Sequence, residues 1–286
     1  MSAVLEARGV SVSFGAVRAL AEVDLEVNPG QLVGLIGPNG AGKTTFIDAV
    51  TGFVPARGQI LLEQRSLQVM SAHHRARLGL ARTWQTIELF DDLSVRENLT
   101  VATRRSTARA SVGEVLLGRP PRTEALAEDA LRLLELEGAA DKMPTELSQG
   151  QRKLVGIARA LASKPRLLLL DEPAAGLDPS ESRDLGQRLR GVTDAGLPAL
   201  LVDHDMSLVL GICDYIYVLD FGRLIAEGTP EQVRRDPKVL AAYLGSSAGA
   251  TGAGGLGGSS SRSDRAGAHA ATGAVSQEDG AGQGDG

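Results

Sequence analysis

The chain has 286 residues, 43% of them hydrophobic, which is enough to bury one core of moderate size with room for a subdomain. Its formal net charge of −5 argues against nucleic acid as the main partner, and its single cysteine, Cys213, excludes an internal disulfide and fits a reducing cytosol. No apolar run approaches the roughly 18 residues of a membrane span, and the N-terminus lacks the apolar core of a signal peptide. We therefore expect a soluble chain whose membrane role would depend on partners.

Short strand-like runs and turns fill residues 4–36, and the last of these runs leads into a glycine-rich loop. Gln31–Ile36 is apolar and typical of a strand that is covered on both faces. It is followed by GPNGAGKT at Gly37–Thr44, which fits the pattern G-x-x-x-x-G-K-[ST] of a phosphate-binding loop. The next apolar residues have helical spacing: Phe46, Ile47, Ala49 and Val50. A strand, a loop and a helix in this order favour a phosphate-binding loop over a chance glycine-rich turn.

The residue types of this loop suit a triphosphate. Gly37, Gly40 and Gly42 lack a Cβ, so the backbone can fold tightly and direct its N–H groups inward at a helix N-terminus. We expect Lys43 to reach the β- and γ-phosphates and the Thr44 hydroxyl to ligate Mg²⁺. The predicted nucleotide contacts in this loop are Gly37, Pro38, Asn39, Gly40, Ala41, Gly42, Lys43, Thr44 and Thr45.

The middle of the chain is predicted to be helical and to interrupt an α/β core. After another predicted strand at residues 57–63, the region from about residue 88 to residue 162 contains two helical patterns. Apolar positions between Leu126 and Leu136 indicate an amphipathic helix, and Arg152–Leu161 carries apolar residues at i, i+3, i+4 and i+7. We therefore expect a helical insertion between two parts of the core.

The core resumes with two predicted strands that end in polar residues. Leu167–Leu170 is a run of four leucines that leads into Asp171, and Leu197–Val202 leads into Asp203 and His204. In an open parallel sheet, ligands bind beyond the carboxyl ends of the strands. These two strands and the one before the phosphate loop are therefore expected to aim their polar residues at one edge of a sheet.

The end of the chain changes character twice. Residues 216–226 are predicted to form a hairpin around the turn Phe221-Gly222. Residues 246–286 are mostly Gly, Ala, Ser and Asp, with too few large apolar residues to offset chain entropy by burial. We therefore predict a disordered tail over residues 246–286.

The acidic pair Asp171-Glu172 indicates metal and acid–base chemistry. An acidic residue at a strand end near a phosphate loop commonly holds Mg²⁺, usually through water. Glu172 would then face the γ-phosphate and orient or deprotonate the attacking water. The alternative interpretation is an exposed acidic pair ahead of the turn at Pro173.

A short polar segment precedes the second amphipathic pattern. Leu147–Gln151 reads LSQGQ, in which Ser148 is a natural N-cap and Gly150 leaves room for a ligand at the helix start. On this pentapeptide alone, a cap is a sufficient explanation. Together with the phosphate loop and Asp171-Glu172, however, it resembles the ATP-binding cassette (ABC) family, where this position carries LSGGQ and a glycine replaces Gln149.

The resemblance covers residues 4–245, and the motifs occur in the family's order. It implies an α/β fold: a P-loop NTPase (RecA-like) core with a parallel sheet and an N-terminal antiparallel β subdomain. An α-helical subdomain at about residues 88–162 would be inserted in this core. The implied ligands are ATP and Mg²⁺.

The resemblance also implies roles outside the phosphate loop. Phe14 would place its ring against adenine, and packing in the core is the rival explanation. Gln85 would meet Mg²⁺ and a membrane partner, and His204 would contact the γ-phosphate, although a lone histidine at a strand end is more often structural. The implied catalytic residues are Glu172, His204 and Gln85, and the implied metal ligands are Thr44, Gln85 and Asp171.

In this family one cassette cannot complete a nucleotide site. The resemblance therefore implies a head-to-tail pair with a second ABC ATPase subunit, homologous or identical, and two ATP molecules at the interface. ATP binding would close the pair and hydrolysis would open it. Ser148 and Gly150 would contact the nucleotide bound to the facing subunit, and Gly176-Leu177-Asp178 matches the loop that joins two cassettes. The nucleotide-binding residues implied in these two segments are Ser148, Gln149, Gly150, Gln151 and Asp178.

A narrower resemblance links the chain to the ATPase subunits of branched-chain amino acid importers. It rests on RTWQTIELFDDLSVRENL (82–99), DEPAAGLDP (171–179), VDHDM (202–206) and AYLG (242–245). It implies integral-membrane permease subunits, an extracytoplasmic substrate-binding protein that acts indirectly, and a location at the cytoplasmic face of the cell membrane. The alternatives are an ABC ATPase for urea or lipopolysaccharide transport, and a soluble ABC ATPase without a transport role.

Two further features keep two interpretations each. Trp84 either packs on a permease helix or fills a pocket. A cluster of arginines in a proline-containing stretch either contacts the permease or anionic headgroups, or is a solvated connector. The arginines are Arg104, Arg105, Arg109, Arg119 and Arg122.

Overall fold

The computed structural model describes residues 2–85, 88–103 and 122–249. Four of the five clustered arginines, from Arg104 to Arg119, and most of the predicted tail, residues 250–286, lie outside the described residues. Among the described helices, none combines the length and the apolarity that a membrane crossing needs.

An antiparallel sheet forms the N-terminal part of the fold, as predicted. Its strands lie in the order β2-β1-β4-β5, and β1 pairs with β2 so that Leu5 faces Val27. β1 also pairs antiparallel with β4, with Leu5 opposite Leu62. The strands are β1 (Leu5–Phe14), β2 (Val17–Val27), β4 (Arg57–Leu62) and β5 (Arg65–Ser66).

The second sheet has six strands in the order β10-β9-β3-β8-β7-β6. The five strands from β9 to β6 run parallel, and β10 closes the other side as an antiparallel hairpin with β9. The strands are β3 (Leu32–Ile36), β6 (Leu80–Thr83), β7 (Leu167–Asp171), β8 (Ala199–Val202), β9 (Tyr215–Asp220) and β10 (Arg223–Gly228). This architecture confirms the predicted parallel-sheet core and the predicted hairpin, and the three site-forming strands β3, β8 and β7 run parallel, so that their carboxyl ends share one edge.

The four leucines of β7 show why this core is read so readily from the sequence. Successive side chains of a strand point to opposite faces, so Leu167 and Leu169 join one apolar core while Leu168 and Leu170 join the other. All four are fully buried. A parallel strand with both faces covered is therefore apolar along its whole length, and its first polar residue, Asp171, marks where the strand reaches the sheet edge.

Helices cover both faces of the parallel sheet. Phe46 and Ile47 of α1 pack between the two sheets, while Leu99, Leu131 and Val155 belong to the core on the opposite face. The helices are α1 (Lys43–Thr51), α2 (Ala72–Arg77), α3 (Val95–Thr103), α4 (Arg122–Leu133), α5 (Gln149–Leu161), α6 (Pro179–Asp194), α7 (Met206–Ile212), α8 (Pro230–Arg235) and α9 (Pro237–Gly249). The described elements between residues 88 and 162 are helical, and the division into subdomains stays a prediction.

Several elements were not anticipated, and one boundary differs. The unpredicted elements are α2, the short strand β5, the helices α6 to α9, and the edge strand β6, whose sequence LART contains two polar residues. At the other end of the chain, α9 continues to Gly249, so the predicted start of the tail at residue 246 falls inside its last turn. Helix α9 therefore extends four residues beyond the predicted domain end at residue 245.

Candidate functional site

The glycine-rich loop joins β3 to α1, and close backbone contacts dictate two of its glycines. A Cβ on Gly37 would lie 2.1 Å from the carbonyl oxygen of Leu219, and a Cβ on Gly42 would lie 2.8 Å from that of Ala19. Both residues also have positive φ, 152° and 106°, which L side chains rarely adopt. The glycines therefore permit the packing that holds the loop at the sheet edge.

The Lys43 side chain lies inside the curl of this loop. Its Nζ donates hydrogen bonds to the carbonyl oxygens of Gly37 (2.7 Å) and Pro38 (3.1 Å), and the residue is only 5% exposed. Burial lowers the pKa of Lys43, while the nearby charges of Glu172, Asp203 and Asp171 act in the opposite direction. The loop thus holds a buried ammonium group with carboxylates around it.

The remaining loop residues leave an accessible surface beside this ammonium group. Asn39, Gly40 and Thr44 are exposed, while Pro38 and Thr45 are half-buried and Ala41 is buried. A Cβ on Gly40 would meet no atom within 4 Å. An anion could therefore approach the backbone of Asn39 and Gly40 and the Thr44 hydroxyl from outside.

Asp171 and Glu172 follow one another at the carboxyl end of β7 but have different surroundings. Asp171 is buried, and its Oδ2 accepts a hydrogen bond of 2.8 Å from the Arg82 guanidinium. Glu172 has φ of 46°, a left-handed conformation that costs free energy for a residue with a side chain, and its N–H bonds to the carbonyl of Val202 at 2.7 Å. The interpretation of an exposed acidic pair is therefore wrong for Asp171, because this carboxylate is buried and bound.

Glu172, Gln85 and His204 lie together, as predicted for the sheet edge. The Gln85 side-chain amide donates to Glu172 Oε2 at 2.9 Å. His204 Nδ1 lies 3.7 Å from the same oxygen, and the histidine side chain is more than half exposed. Two polar side chains, one from the segment after β6 and one from the segment after β8, thus converge on the carboxylate that follows β7.

Asp203 is a residue of this site that the sequence analysis did not identify as functional. It is fully buried; its Oδ1 accepts from the N–H groups of His204 (2.8 Å) and Asp205 (3.0 Å), and its Oδ2 accepts from Ala174 at 3.3 Å. It therefore ties the loop after Glu172 to the segment that carries His204. The available signal was a carboxylate placed directly after a buried strand.

Lys153 is a second residue that the sequence analysis missed. It lies on α5, is mostly buried, and donates from Nζ to the Gln85 carbonyl oxygen at 3.2 Å. Burial lowers the pKa of Lys153, and the charges of Asp203 and Glu172 oppose this shift. Lys153 thus links the helix that begins after Ser148 to the backbone of Gln85.

The polar groups at the N-terminus of α5 form hydrogen bonds with nearby residues of the same chain. Ser148 caps the helix by accepting from the Gln151 N–H at 3.2 Å, and the Gln151 side chain accepts from the Ser148 N–H at 3.1 Å. Gly150 donates to Glu181 of α6 at 3.2 Å, and the Gln149 side chain covers Gly176. These contacts form a reciprocal capping box and a packed helix start.

Asp178 caps the N-terminus of α6 in a similar way. Its carboxylate accepts from the N–H groups of Ser180 (2.7 Å) and Glu181 (2.9 Å). The bond from Glu181, followed by that from Ser180, lowers the pKa of Asp178. The described contacts of Asp178 are thus structural, and its contact with a nucleotide stays a prediction.

Phe14 and Trp84 both have half-exposed aromatic side chains. Phe14 is 53% exposed at the end of β1, so the explanation that it packs in the core is wrong, while its contact with adenine stays a prediction. Trp84 is 51% exposed and packs edge-on against Phe53, with ring centres 5.3 Å apart. Trp84 is therefore only partly covered by its own chain.

Tyr243 connects the last helix to the phosphate-binding loop. Burial raises the pKa of Tyr243 to about 12, and a hydrogen bond with the Gly37 backbone opposes the rise. Tyr243 belongs to the segment AYLG, which the sequence analysis used only as a resemblance. Helix α9 thus contributes directly to the environment of the loop.

The donor set fits Mg²⁺ and a polyphosphate. Thr44, Asp171 and Gln85 offer hydroxyl, carboxylate and amide oxygens, which are the hard ligands that Mg²⁺ prefers. The buried ammonium group of Lys43, which now binds only uncharged carbonyl oxygens among its hydrogen-bond partners, suits phosphate oxygens. The residues present are therefore compatible with both groups.

Comparison with protein families gives two matches. Residues 20–175 match the family described as ABC transporter. Residues 223–249 match the family described as branched-chain amino acid ATP-binding cassette transporter.

Similar proteins include transporter subunits with different substrates. The chain is 39% identical over 252 residues to the high-affinity branched-chain amino acid transport ATP-binding protein LivG of Escherichia coli K12, covering 85% of this chain and 98% of LivG. It is 39% identical over 251 residues to BraF of Pseudomonas aeruginosa, which has the same description and the same coverage. It is also 37% identical over 246 residues to the lipopolysaccharide export system ATP-binding protein LptB of Acidithiobacillus ferridurans, covering 86% of this chain and 98% of LptB.

Solved structures agree with these matches. The ADP conformation of an ATP-binding cassette of an ABC transporter superposes with a TM-score of 0.76 at 31% identity, covering 86% of this chain and all of the other. A nucleotide-free cassette superposes with a TM-score of 0.73 at 30% identity, covering 85% of this chain and 99% of the other.

Proposed function

Because the chain belongs to the ABC transporter family, we propose that it is the ATP-hydrolysing subunit of an importer for branched-chain amino acids. The observation that carries the catalytic part is the convergence of Gln85 and His204 on Glu172, on the same sheet edge as the loop that holds Lys43. The match of residues 223–249 to a branched-chain amino acid family supports the substrate.

The phosphate-binding loop would hold ATP through its N–H groups and Lys43. Phosphate oxygens would replace the Gly37 and Pro38 carbonyls as partners of the ammonium group, which is already in place. Thr44, Asp171 and Gln85 would hold Mg²⁺, which supplies positive charge beside the phosphates. Phe14, with its half-exposed ring, would stack on the adenine.

Glu172 would act as the general base for the attacking water. Its carboxylate is oriented by the Gln85 amide, and His204 lies 3.7 Å from the same oxygen, where it would contact the γ-phosphate. The left-handed backbone at Glu172 is the kind of local strain that clusters at functional sites. Catalysis would therefore rest on positioning, charge neutralisation by Lys43 and proton transfer to Glu172.

A second cassette would supply the other half of each site. Ser148, Gln149, Gly150 and Gln151 lie at a helix N-terminus, and Gln149 with Lys153 lines an open cavity of about 900 Å³ beside Gly176. A helix N-terminus favours anions, so this surface suits the phosphates of a nucleotide bound to the facing subunit. Asp178 would contribute from the same side.

The membrane components would be partner chains. The half-exposed aromatic side chains of Trp84 and Phe53 pack against each other next to Gln85, which suits contact with a permease subunit. We place the chain at the cytoplasmic face of the membrane, with an extracytoplasmic binding protein that delivers the substrate to the permeases. Similarity to LivG and BraF supports this assembly.

Uptake of labelled leucine tests this function. Cells that lack the gene should lose uptake, wild type should restore it, and Glu172→Gln should be expressed at the same level without restoring it. The likeness to LptB makes lipopolysaccharide export the second candidate. Normal leucine uptake in deletion cells that are defective in lipid export would favour that candidate, and restoration by Glu172→Gln would contradict the role of the base.

A further inference from the structure

Arg82 is a buried cation that joins two acidic residues from different parts of the site. It lies on the edge strand β6, and its side chain is only 6% exposed. One guanidinium nitrogen, Nη1, donates to Asp48 Oδ1 at 2.6 Å, and the other, Nη2, donates to Asp171 Oδ2 at 2.8 Å. Asp48 belongs to α1, the helix that begins at the phosphate-binding loop, so Arg82 ties this helix to the end of β7.

The flat face of the same guanidinium group is covered by aromatic rings. Its central carbon lies 4.0 Å from the centre of the Trp84 ring and 5.9 Å from that of Phe53. Phe53 and Trp84 pack edge-on against each other and are 57% and 51% exposed. Arg82 therefore contacts a carboxylate of the nucleotide site with one edge and an exposed aromatic pair with its face.

Lysine could not make this set of contacts. A guanidinium group is a rigid planar fork that binds two carboxylates at once and stacks on rings, whereas an ammonium group is a compact point charge on a flexible stem. Arg82 Nε is buried and has no hydrogen-bond partner among the described residues, so the two carboxylates and the rings fix the orientation of the fork. The orientation of the fork in turn fixes Asp171 Oδ2.

We propose that Arg82 is a positioning residue of the Mg²⁺ site: it holds the Asp171 carboxylate in the orientation that binds the ion. A partner that displaces Trp84 then changes Mg²⁺–ATP binding through Arg82. This inference rests on the proposed function, because it assumes that Asp171 ligates Mg²⁺. It concerns binding of the metal–nucleotide complex, so a binding measurement tests it without turnover.

The test uses the full chain carrying Glu172→Gln, so that ATP is not consumed, and a fluorescent ATP analogue. Affinity is measured with Mg²⁺ and again with EDTA, and the ratio of the two affinities is the gain that Mg²⁺ provides. We expect Arg82→Lys to reduce this gain about tenfold, as is typical when an outer-shell partner of a metal ligand is lost, while affinity in EDTA is unchanged. Trp84→Ala should reduce the gain in the same direction by a smaller factor.

Arg190→Lys is the matched control. Arg190 also bridges two carboxylates, Asp194 at 3.0 Å and Asp214 at 2.5 Å, and neither carboxylate belongs to the proposed site. Both lysine variants should lower the melting temperature, but only Arg82→Lys should reduce the Mg²⁺-dependent gain. Asp48→Ala removes one of the two carboxylates that hold Arg82 and keeps Asp171 intact. It should reduce the Mg²⁺-dependent gain in the same direction, and it provides the test if Arg82→Lys does not fold.

The possible outcomes separate the inference from the function on which it rests. An equal loss of affinity with and without Mg²⁺, or a fall in melting temperature alone, would show that Arg82 is only structural and would overturn the inference. If the Glu172→Gln parent bound ATP without any gain from Mg²⁺, the assignment of Asp171 as a ligand would fail instead.

Discussion

The sheet edge and the N-terminus of α5 use their polar groups in opposite ways. At the sheet edge, side chains from separate elements turn toward one another, so that Gln85 and His204 meet at Glu172. At the start of α5, Ser148 and Gln151 bind each other in a capping box. The sheet edge thus brings together side chains that are distant in the sequence, whereas the N-terminus of α5 is held by hydrogen bonds between residues three positions apart.

This difference bears on how a nucleotide site is divided between subunits. The sheet edge holds the buried ammonium group of Lys43 together with the proposed base and the proposed metal ligands on one chain, so single substitutions should disrupt its chemistry. The α5 terminus offers a helix dipole and a small residue, Gly150, but its described contacts do not include the phosphate-binding loop of its own chain. Its proposed role therefore depends on a facing cassette, and substitutions there should affect turnover more than binding.

The largest expected effect is on turnover at the sheet edge. Glu172→Gln should lower kcat by about 1,000-fold, because loss of a general base removes the group that accepts the proton of the attacking water. ATP binding should remain, since glutamine can still accept the hydrogen bond from Gln85. Hydrolysis and nucleotide affinity are measured on one preparation, with Glu227→Gln, an exposed residue of β10, as the control. Turnover of Glu172→Gln near that of wild type would contradict the assignment of Glu172 as the general base.

Lys43→Ala should weaken the binding of ATP. A hydrogen bond to a charged group contributes about 1.5–3 kcal/mol, so ATP affinity should fall by about 100-fold. Isothermal titration with Mg²⁺–ATP measures this change, and Lys142→Ala, which removes an exposed lysine, should leave affinity unchanged. Equal affinities for wild type and Lys43→Ala would contradict the proposed phosphate contact.

Substitution of Ser148 separates the two roles proposed for the α5 terminus. Loss of the helix cap changes the free energy of unfolding, whereas loss of a contact with the facing nucleotide changes turnover. Ser148→Ala should lower the free energy of unfolding by about 1 kcal/mol through loss of the cap, and should lower turnover about tenfold if Ser148 also contacts the facing nucleotide. Thr229→Ala is the matched control, since Thr229 also begins a helix, α8, with a capping box. Parallel stability and ATPase measurements that show equal turnover for both variants would assign Ser148 to the cap alone.

Tyr243→Phe should have the smallest effect. It removes one hydroxyl that bonds to the Gly37 backbone, which contributes about 1 kcal/mol, so ATP affinity should fall by no more than about fivefold. Tyr217→Phe removes a comparable hydroxyl bonded to the Glu26 N–H at 3.1 Å and should lower only the melting temperature. An identical ATP affinity in the two variants would show that α9 does not influence the loop.

The parts of the fold that were predictable share a local cause. β3, β7 and β8 are apolar runs, and β7 and β8 reach polar residues at Asp171 and Asp203, because a parallel strand with two covered faces turns polar only at the sheet edge. The phosphate-binding loop was predictable because its residue types fix both backbone shape and charge. In these cases a few consecutive residues are enough to determine the local structure.

The parts that were missed depend on partners that are distant in sequence. β6 carries Arg82, whose burial is tolerated only because Asp48 and Asp171 neutralise it. Asp203 is buried because three backbone N–H groups surround its carboxylate, and two of these belong to the turn that it stabilises. The partners Asp48, Asp171 and Ala174 lie far away in the sequence. The residues next to Arg82 and Asp203 therefore do not reveal these contacts.

A structure of the Glu172→Gln variant with Mg²⁺–ATP and its partner chains tests the central division of the site most directly. The measurement is the distance from Ser148 Oγ to the γ-phosphate of the nucleotide held by the facing cassette. We expect hydrogen-bond distance, about 3 Å, with the same nucleotide bound by Gly37–Thr44 of the other subunit. A nucleotide enclosed by one chain, with Ser148 turned away from every phosphate, would contradict the account.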